Sequence, residues 1–291
     1  MTKTIDIRDQ AYLAGEDVLK LNFINDKGLF VFRKYYRSGL RSHIFEVLAK
    51  EDILKETQGE IVDGIRLFPR AKPQKMFRVL RGRFKNKEEI FPEIEKYHIL
   101  LNFLGTAFIA ESEEFIVDYT GTGTSQIVLC GLQEYVDGEI LDPWRLFNKD
   151  CILDLFRPHI QENSHLQILV KKAKDNIAQF VKKIRRMIDI TGYIPDLAGI
   201  GNLILTLNGG FKLVDINNIV KVKLDDTILI DDKGYPSCDI SIDVLSILEK
   251  TILQKDISMD DPLYRLFLSP KRKRKVKALE KQFYKHLKNQ N

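Results

Sequence analysis

The chain has 291 residues, 44% of them hydrophobic and 30% charged, and carries a net charge of +5, a balance that excludes a disordered or low-complexity chain and allows a sizeable core. No run of about 18 apolar residues offers a transmembrane helix, and the start MTKTIDIRDQAYLAGEDVLK has no apolar stretch behind a basic head, so a cytoplasmic location is expected. Three scattered cysteines, Cys130, Cys151 and Cys238, form neither a disulfide framework nor a CxxC zinc pair.

In chain order, VLKLNFI (18–24) and GLFVFRKYY (28–36) read as strands around Asn25-Asp26-Lys27-Gly28, residues that tolerate the positive φ of a hairpin turn. SHIFEVLAKEDIL (42–54) reads as a short amphipathic helix. KMFRVLR (75–81) is a strand, followed by a helix from about Lys87 in which Pro92 is tolerated in the first turn. Residues 107–119 and 125–136 are two more strands, separated by the turn TGTGT.

Beyond residue 138 helices dominate. Residues 141–156 read as one helix. Residues 165–190 form the clearest one, because Leu169, Ala173, Ile177, Phe180, Val181, Ile184, Met187 and Ile188 recur at three- and four-residue steps and Gly192 follows as a stop. NLILTL (202–207) and FKLVDI (211–216) are short strands joined by Asn208-Gly209-Gly210, and residues 241–253 and the basic tail return to helix. Strands first, then helices with one small hairpin among them, describe an α+β chain of two layers or lobes.

Charge is unevenly placed. Residues 271–291 hold nine Lys or Arg and one Glu, and residues 65–87 hold nine basic residues and no acid. Each could meet phosphate in a nucleotide, a nucleic acid or an anionic lipid; the plainer reading of the tail is a solvated, solubilising face.

Chemistry concentrates in GYIPDLAGIGNLILTLNGGFKLVDINNI (192–219). A long helix ends in a loop carrying Asp196 and Asn202, and a hairpin then delivers Asp215. Phosphoryl transfer needs a carboxylate beside the attacking hydroxyl and magnesium held by oxygen ligands, which two Asp and an Asn can supply. The plainer reading is that Pro195, Asp196, Gly201 and Asn202 form a turn, that Asp215 ends a strand, and that Asn217 and Asn218 are turn residues. The five histidines show no metal-ligand spacing, and Trp144 reads as a packing anchor.

This order of motifs resembles the protein-kinase-like superfamily, which includes aminoglycoside phosphotransferases and lipopolysaccharide core kinases. The resemblance covers roughly residues 60–250 and implies a two-lobed α+β fold with an N-terminal extension (1–60), a β-rich N-lobe (61–136) and a mainly α-helical C-lobe (137–291). It implies Asp196 as catalytic base and Asn202 and Asp215 as magnesium ligands. Arg78 would contact the ATP phosphates, held by Glu95 or Glu93, and the backbone of Glu134, Tyr135 and Val136 would hold adenine. Asp239 would brace the catalytic loop.

Several positions depart from the family pattern. Asn202 follows Asp196 by six residues, one more than usual, and Ile194 stands where many kinases carry histidine. Asp-Ile-Asn replaces Asp-Phe-Gly, Arg78 replaces a lysine, and GIRLFPRAKPQ (64–74) lacks the glycines that close a backbone over phosphates. A second register makes Lys34 the phosphate contact. The implied function is an ATP- and Mg2+-dependent phosphotransferase acting on a hydroxyl of a small molecule, sugar or glycolipid, with the basic segments available to an anionic acceptor or a membrane surface. The alternative is a catalytically inactive pseudokinase acting as a binding or regulatory module. A nucleic-acid-binding protein ranks last, because the basic stretches lack regularly spaced aromatics for base stacking.

Overall fold

A computed structural model describes residues 6–10, 12–25, 28–35, 41–121, 123–146 and 148–290. Asp26 and Lys27 of the expected hairpin turn and Thr122 of the TGTGT turn lie outside the described residues. The chain is mixed α/β and divides into two compact units, Met1–Glu95 with Glu111–Tyr135, and Lys96–Ala110 with Val136–Asn291. Among the described residues no helix is long and apolar enough to cross a membrane.

The first unit is organised by a five-stranded antiparallel sheet. It contains helix α1 (Gly15–Leu19), strands β1 (Phe30–Lys34) and β2 (Ser42–Ala49), helix α2 (Lys50–Gln58), strands β3 (Glu60–Val62), β4 (Ile65–Leu67) and β5 (Lys75–Leu80), the beginning of helix α3 (Phe91–Leu104), and strands β6 (Ser112–Tyr119) and β7 (Gln126–Glu134). The sheet order is β1-β2-β5-β7-β6, while β3 and β4 pair with each other.

Two sequence expectations fail in this unit. Residues 18–24 are not a strand: α1 ends at Leu19, and Val18 and Leu21 are buried as part of an apolar cluster. Residues 42–54 are not one helix but strand β2 followed by α2. Strand β2 is paired on both sides and buried along most of its length, so its apolar residues run without the period-2 alternation of a half-exposed strand.

One face of the sheet carries Phe45, Val47, Phe77, Val79 and Cys130, covered by Ile7, Leu13, Val18 and Leu21. Leu80 and Leu129 lie on the other face and pack with Ile90 and Ile94 around the start of α3. The nine cations of residues 65–87 do not form one continuous free surface. Arg66 donates to the Gln58 carbonyl (2.7 Å), Arg81 to the Arg8 and Gln10 carbonyls (3.0 and 3.1 Å), and Arg83 pairs with Asp9 (2.5 Å).

His43 sits on the first face, 2% exposed. Its Nε2 lies 2.9 Å from the Ile7 carbonyl and its Nδ1 3.4 Å from Lys34 Nζ. A neutral ring with its proton on Nε2 donates to the carbonyl and accepts from the ammonium; a second proton on Nδ1 would face that ammonium. Burial first, then the charges of Lys34 and Arg81, hold this imidazole down at about 4. The unfolded chain takes up the proton near pH 6.5 and the folded chain does not, so stability present above pH 6.5 is lost as pH falls toward 4. We expect a decline of up to about 1 kcal/mol per pH unit over that window from this residue. Denaturant titrations at several pH values check it, because His43→Gln should flatten the slope.

The second unit carries the rest of α3, strand β8 (Glu139–Ile140), helices α4 (Cys151–Phe156) and α5 (Asn163–Thr191), and strands β9 (Tyr193–Pro195), β10 (Leu203–Leu205), β11 (Phe211–Leu213) and β12 (Ile219–Lys221). Helices α6 (Ser237–Ile247), α7 (Pro262–Phe267) and α8 (Pro270–Gln290) complete it. The helix expected over 141–156 is a 3-10 turn at Pro143–Arg145 and then α4. Asp142 caps the turn by accepting from the Trp144 amide.

Helix α5 follows its sequence pattern: the eight apolar residues named above are all buried, and Gly192 ends the helix at φ +67, a left-handed conformation that glycine adopts without strain. Phe180 meets Phe211 edge-on (5.0 Å between rings) and lies 6.2 Å from Phe108. Each such buried ring contributes roughly 1.5–3 kcal/mol. Helix α5 thereby backs the β10–β11 hairpin, and Asn176 fixes its turn by donating to the Gly209 carbonyl (2.8 Å). Strand β8 adds to β10 on the other side; a Cβ on Gly138 would stand 2.4 Å from the Leu205 carbonyl oxygen, so only glycine permits that approach. Cys130 and Cys238 are buried in the two units and Cys151 is half-buried, all three as free thiols.

Candidate functional site

In the second unit, strands β9 and β12 pair antiparallel, with Pro195 opposite Ile219, and the β10–β11 hairpin lies between them in sequence. Two loops, 196–202 and 214–218, therefore leave neighbouring strand ends. Backbone bonds tie them together: the Asp196 amide donates to the Asn218 carbonyl (2.7 Å) and the Val214 amide to the Asn202 carbonyl (2.8 Å). The structure brings Asp196, Asn202 and Asp215 onto these adjoining loops.

Asp196 is half-buried and oriented. Its Oδ1 accepts from the Ala198 amide (2.9 Å) and its Oδ2 from the Asn218 side chain (3.1 Å). Asn202 Nδ2 donates to the Asp196 main-chain carbonyl (3.0 Å), which leaves Asn202 Oδ1 as an acceptor without a partner among the described residues. At Asp215, Oδ1 accepts from the Asn217 amide (3.3 Å), and no other described residue hydrogen-bonds the carboxylate. Asp215 Oδ2 and Asn202 Oδ1 are hard oxygen donors of the chemistry that magnesium takes, although among the described residues no group of three or more His, Cys, Asp or Glu is gathered to hold a metal ion.

The loop from Asp196 to Asn202 closes on a tight turn. The Asn202 amide donates to the Gly199 carbonyl (2.9 Å), and Gly201 adopts φ +89. A Cβ on Gly199 would come within 2.6 Å of the Asn202 amide, so glycine there makes room for the side chain that holds the Asp196 carbonyl. Ile194, where histidine was expected from the resemblance, is fully buried in the apolar core of the unit.

Three bracing residues escaped the sequence reading. Asn218 is 6% exposed and holds both the backbone and the carboxylate of Asp196. Ser241, on α6, accepts from the Leu197 amide through Oγ (3.0 Å). Trp144 donates from Nε1 to the Ala198 carbonyl (3.2 Å), a more specific role than packing. Asp239 does not brace the loop as expected. It lies two residues from Ser241, so the two side chains point to different sides of α6, and Asp239 pairs instead with Arg272. Two-residue spacing was the one signal that could have raised Ser241 beside Asp239.

The expected phosphate contacts lie in the first unit. Arg78, on β5, is 4% exposed and forms an ion pair with Glu114 on β6, not with Glu95; its Nη2 also donates to Ser112 Oγ (3.1 Å). Glu114 closes the triangle by accepting from Ser112 Oγ (2.7 Å). Gly131 lies opposite Arg78 on the intervening strand, and a Cβ there would stand 2.6 Å from Arg78 Nη2. That missing side chain lets the guanidinium cross β7 to reach β6, a route that spacing along the chain does not reveal. Arg78 Nε is buried without a partner among the described residues. Lys34 stands over the Phe45 ring (4.7 Å to its centre) beside His43. Because Phe45 pairs with Phe77, and Arg78 is the next residue along β5, Lys34 and Arg78 occupy opposite faces of one sheet. The two cannot share one phosphate.

Glu95 is exposed on α3 and Glu93 is half-buried. The Glu134 amide is committed to the Glu111 carbonyl (2.7 Å), so it is spent on the sheet edge and not open to an adenine ring. Tyr135 ends the first unit and Val136 begins the second. Compared with known proteins, the chain matches no family model. No curated protein matches it.

Proposed function

We propose that this chain is an ATP- and magnesium-dependent phosphotransferase of the protein-kinase-like type, acting on a hydroxyl of a small molecule, sugar or glycolipid. The observation that carries this reading is the pair of locked loops that holds Asp196, Asn202 and Asp215 together and leaves Asp215 Oδ2 and Asn202 Oδ1 for a ligand. On this reading the sheet-based first unit is the N-lobe and the helical second unit the C-lobe. Magnesium, when bound, offsets the negative charge of the phosphates. The chain's own part is positional. Asn202 and Asp215 hold the ion. Asp196, its carboxylate fixed by the Ala198 amide and Asn218, aligns the acceptor hydroxyl and takes its proton.

The burial of Arg78 against Glu114 favours a second reading, a pseudokinase that binds nucleotide weakly and does not turn it over. Thermal unfolding separates the two. ATP and magnesium together, but neither alone, should raise the midpoint, since a ligand of the folded state adds about 2.7 kcal/mol at a hundred times its dissociation constant. Asp215→Asn should abolish the rise. A magnesium-independent rise that survives the substitution would sink the catalytic reading.

A further inference from the structure

Helix α8 is anchored by a narrow face. Arg272 and Val276 are each 6% exposed, Phe283 packs against Tyr235 with the rings tilted and 5.0 Å apart, and Glu280 accepts from the Tyr235 hydroxyl (3.0 Å). At about 100° per residue, Arg274, Lys277, Lys281, Lys285 and Lys288 fall within an arc of about 80° on the opposite side. All five are exposed and lie about 21 Å apart from first to last along the axis. No acid shares the arc, because Glu280 is the only acidic residue after 270 and it is engaged at the anchoring face. Steps of three and four residues put like charges next to one another, an arrangement that weakens a helix unless something anionic meets it. Last-turn cations favour the helix dipole, which accounts for Lys288 but not for the four earlier ones.

We infer that this stripe docks the protein on an anionic lipid surface, a property independent of the phosphotransferase reading. Its shape and chemistry select that partner. The stripe runs along one face of a single helix, which is a convex surface. Four of its five cations are lysines, which act as point charges toward a diffuse headgroup layer and not as bidentate forks for single phosphates. The arc offers no Asn, Gln, Ser or Thr to read an ordered ligand, and Tyr284 alone stands at its edge.

The test is sedimentation of the full chain with vesicles of phosphatidylcholine plus phosphatidylglycerol and of phosphatidylcholine alone, at rising salt. Binding should need the anionic lipid and fall with salt. Combining Lys277→Gln, Lys281→Gln and Lys285→Gln should weaken it about fivefold per lysine, about a hundredfold in all, with the melting midpoint not lowered. Lys171→Gln, Lys182→Gln and Arg186→Gln, an equal change in net charge on exposed positions of α5, should leave binding nearly intact. Equal loss in both triple variants, equal binding to neutral vesicles, no binding, or tighter binding to duplex DNA at the same salt would each overturn the inference.

Discussion

Replacing Asp196 with Asn should lower phosphoryl transfer from ATP about 10²–10⁴-fold while leaving the magnesium-dependent ATP stabilisation in place. The asparagine keeps an oxygen for the Ala198 amide, and the backbone bond from the residue-196 amide to the Asn218 carbonyl is untouched, so the loop geometry survives. What disappears is the carboxylate that, on the proposed function, takes the acceptor proton. Asp215→Asn should behave differently and lose the ligand-induced stabilisation itself, because on the proposed function it removes a charged oxygen from the ion's donors. With the acceptor unidentified, slow transfer to water, read as phosphate release, is the assay. If Asp196→Asn releases phosphate at the wild-type rate, Asp196 is not the base.

The largest expected effect on stability lies away from that chemistry, at Arg272. Its guanidinium meets Asp239 through Nε (2.5 Å) and Nη2 (3.2 Å), donates to the Asp225 and Thr227 carbonyls (2.7 and 2.9 Å), and lies 4.3 Å from the centre of the Phe267 ring. Asp239 is itself only 4% exposed. Arg272→Ala leaves that carboxylate buried without a counter-charge and two carbonyls without donors, a loss of about 3–5 kcal/mol. Arg272→Lys should recover little, since an ammonium cannot span the same four acceptors. Arg272→Met combined with Asp239→Leu should recover much of the loss, because both charges then leave together.

The pH dependence of the Arg272→Ala deficit gives a separate check. Burial already pushes the Asp239 carboxyl up, against the pull of Arg272. Without the arginine the folded state takes the proton more readily still. A raised acid stabilises the fold below its unfolded pKa and loses that contribution as pH rises through the folded value. Denaturation midpoints of the variant relative to wild type should therefore converge as pH is lowered from neutral toward 4. A deficit that stays constant would mean that Asp239 does not carry it.

Local pattern was sufficient where one element buries one face. Helix α5 could be read from eight apolar residues and a glycine stop, because a 3.6-residue period against a core leaves that signature in any context. The β10–β11 hairpin could be read from Asn-Gly-Gly for a similar reason: the turn requires positive φ at Gly209. The separation of Asp196, Asn202 and Asp215 by a loop and a tight hairpin then placed them on adjoining loops without knowledge of any distant contact.

Tertiary structure decided everything that depends on which side chains meet across strands or between helices. Strand β2 looked helical because burial of both its faces removes the alternation that marks a half-exposed strand. Arg78 chose Glu114 over Glu95 because Gly131 opens a path across the sheet, and pairing register is not written in spacing along the chain. Ser241 and not Asp239 supports the 196–202 loop because of the rotation of α6, while Arg272 ties the basic tail into the core of the second unit. Periods, turns and the order of chemical groups are local properties of the backbone and can be read along the chain; the partners of each buried charge were settled only by packing, where the cost of leaving a charge unpaired selects among acceptors far apart in the chain.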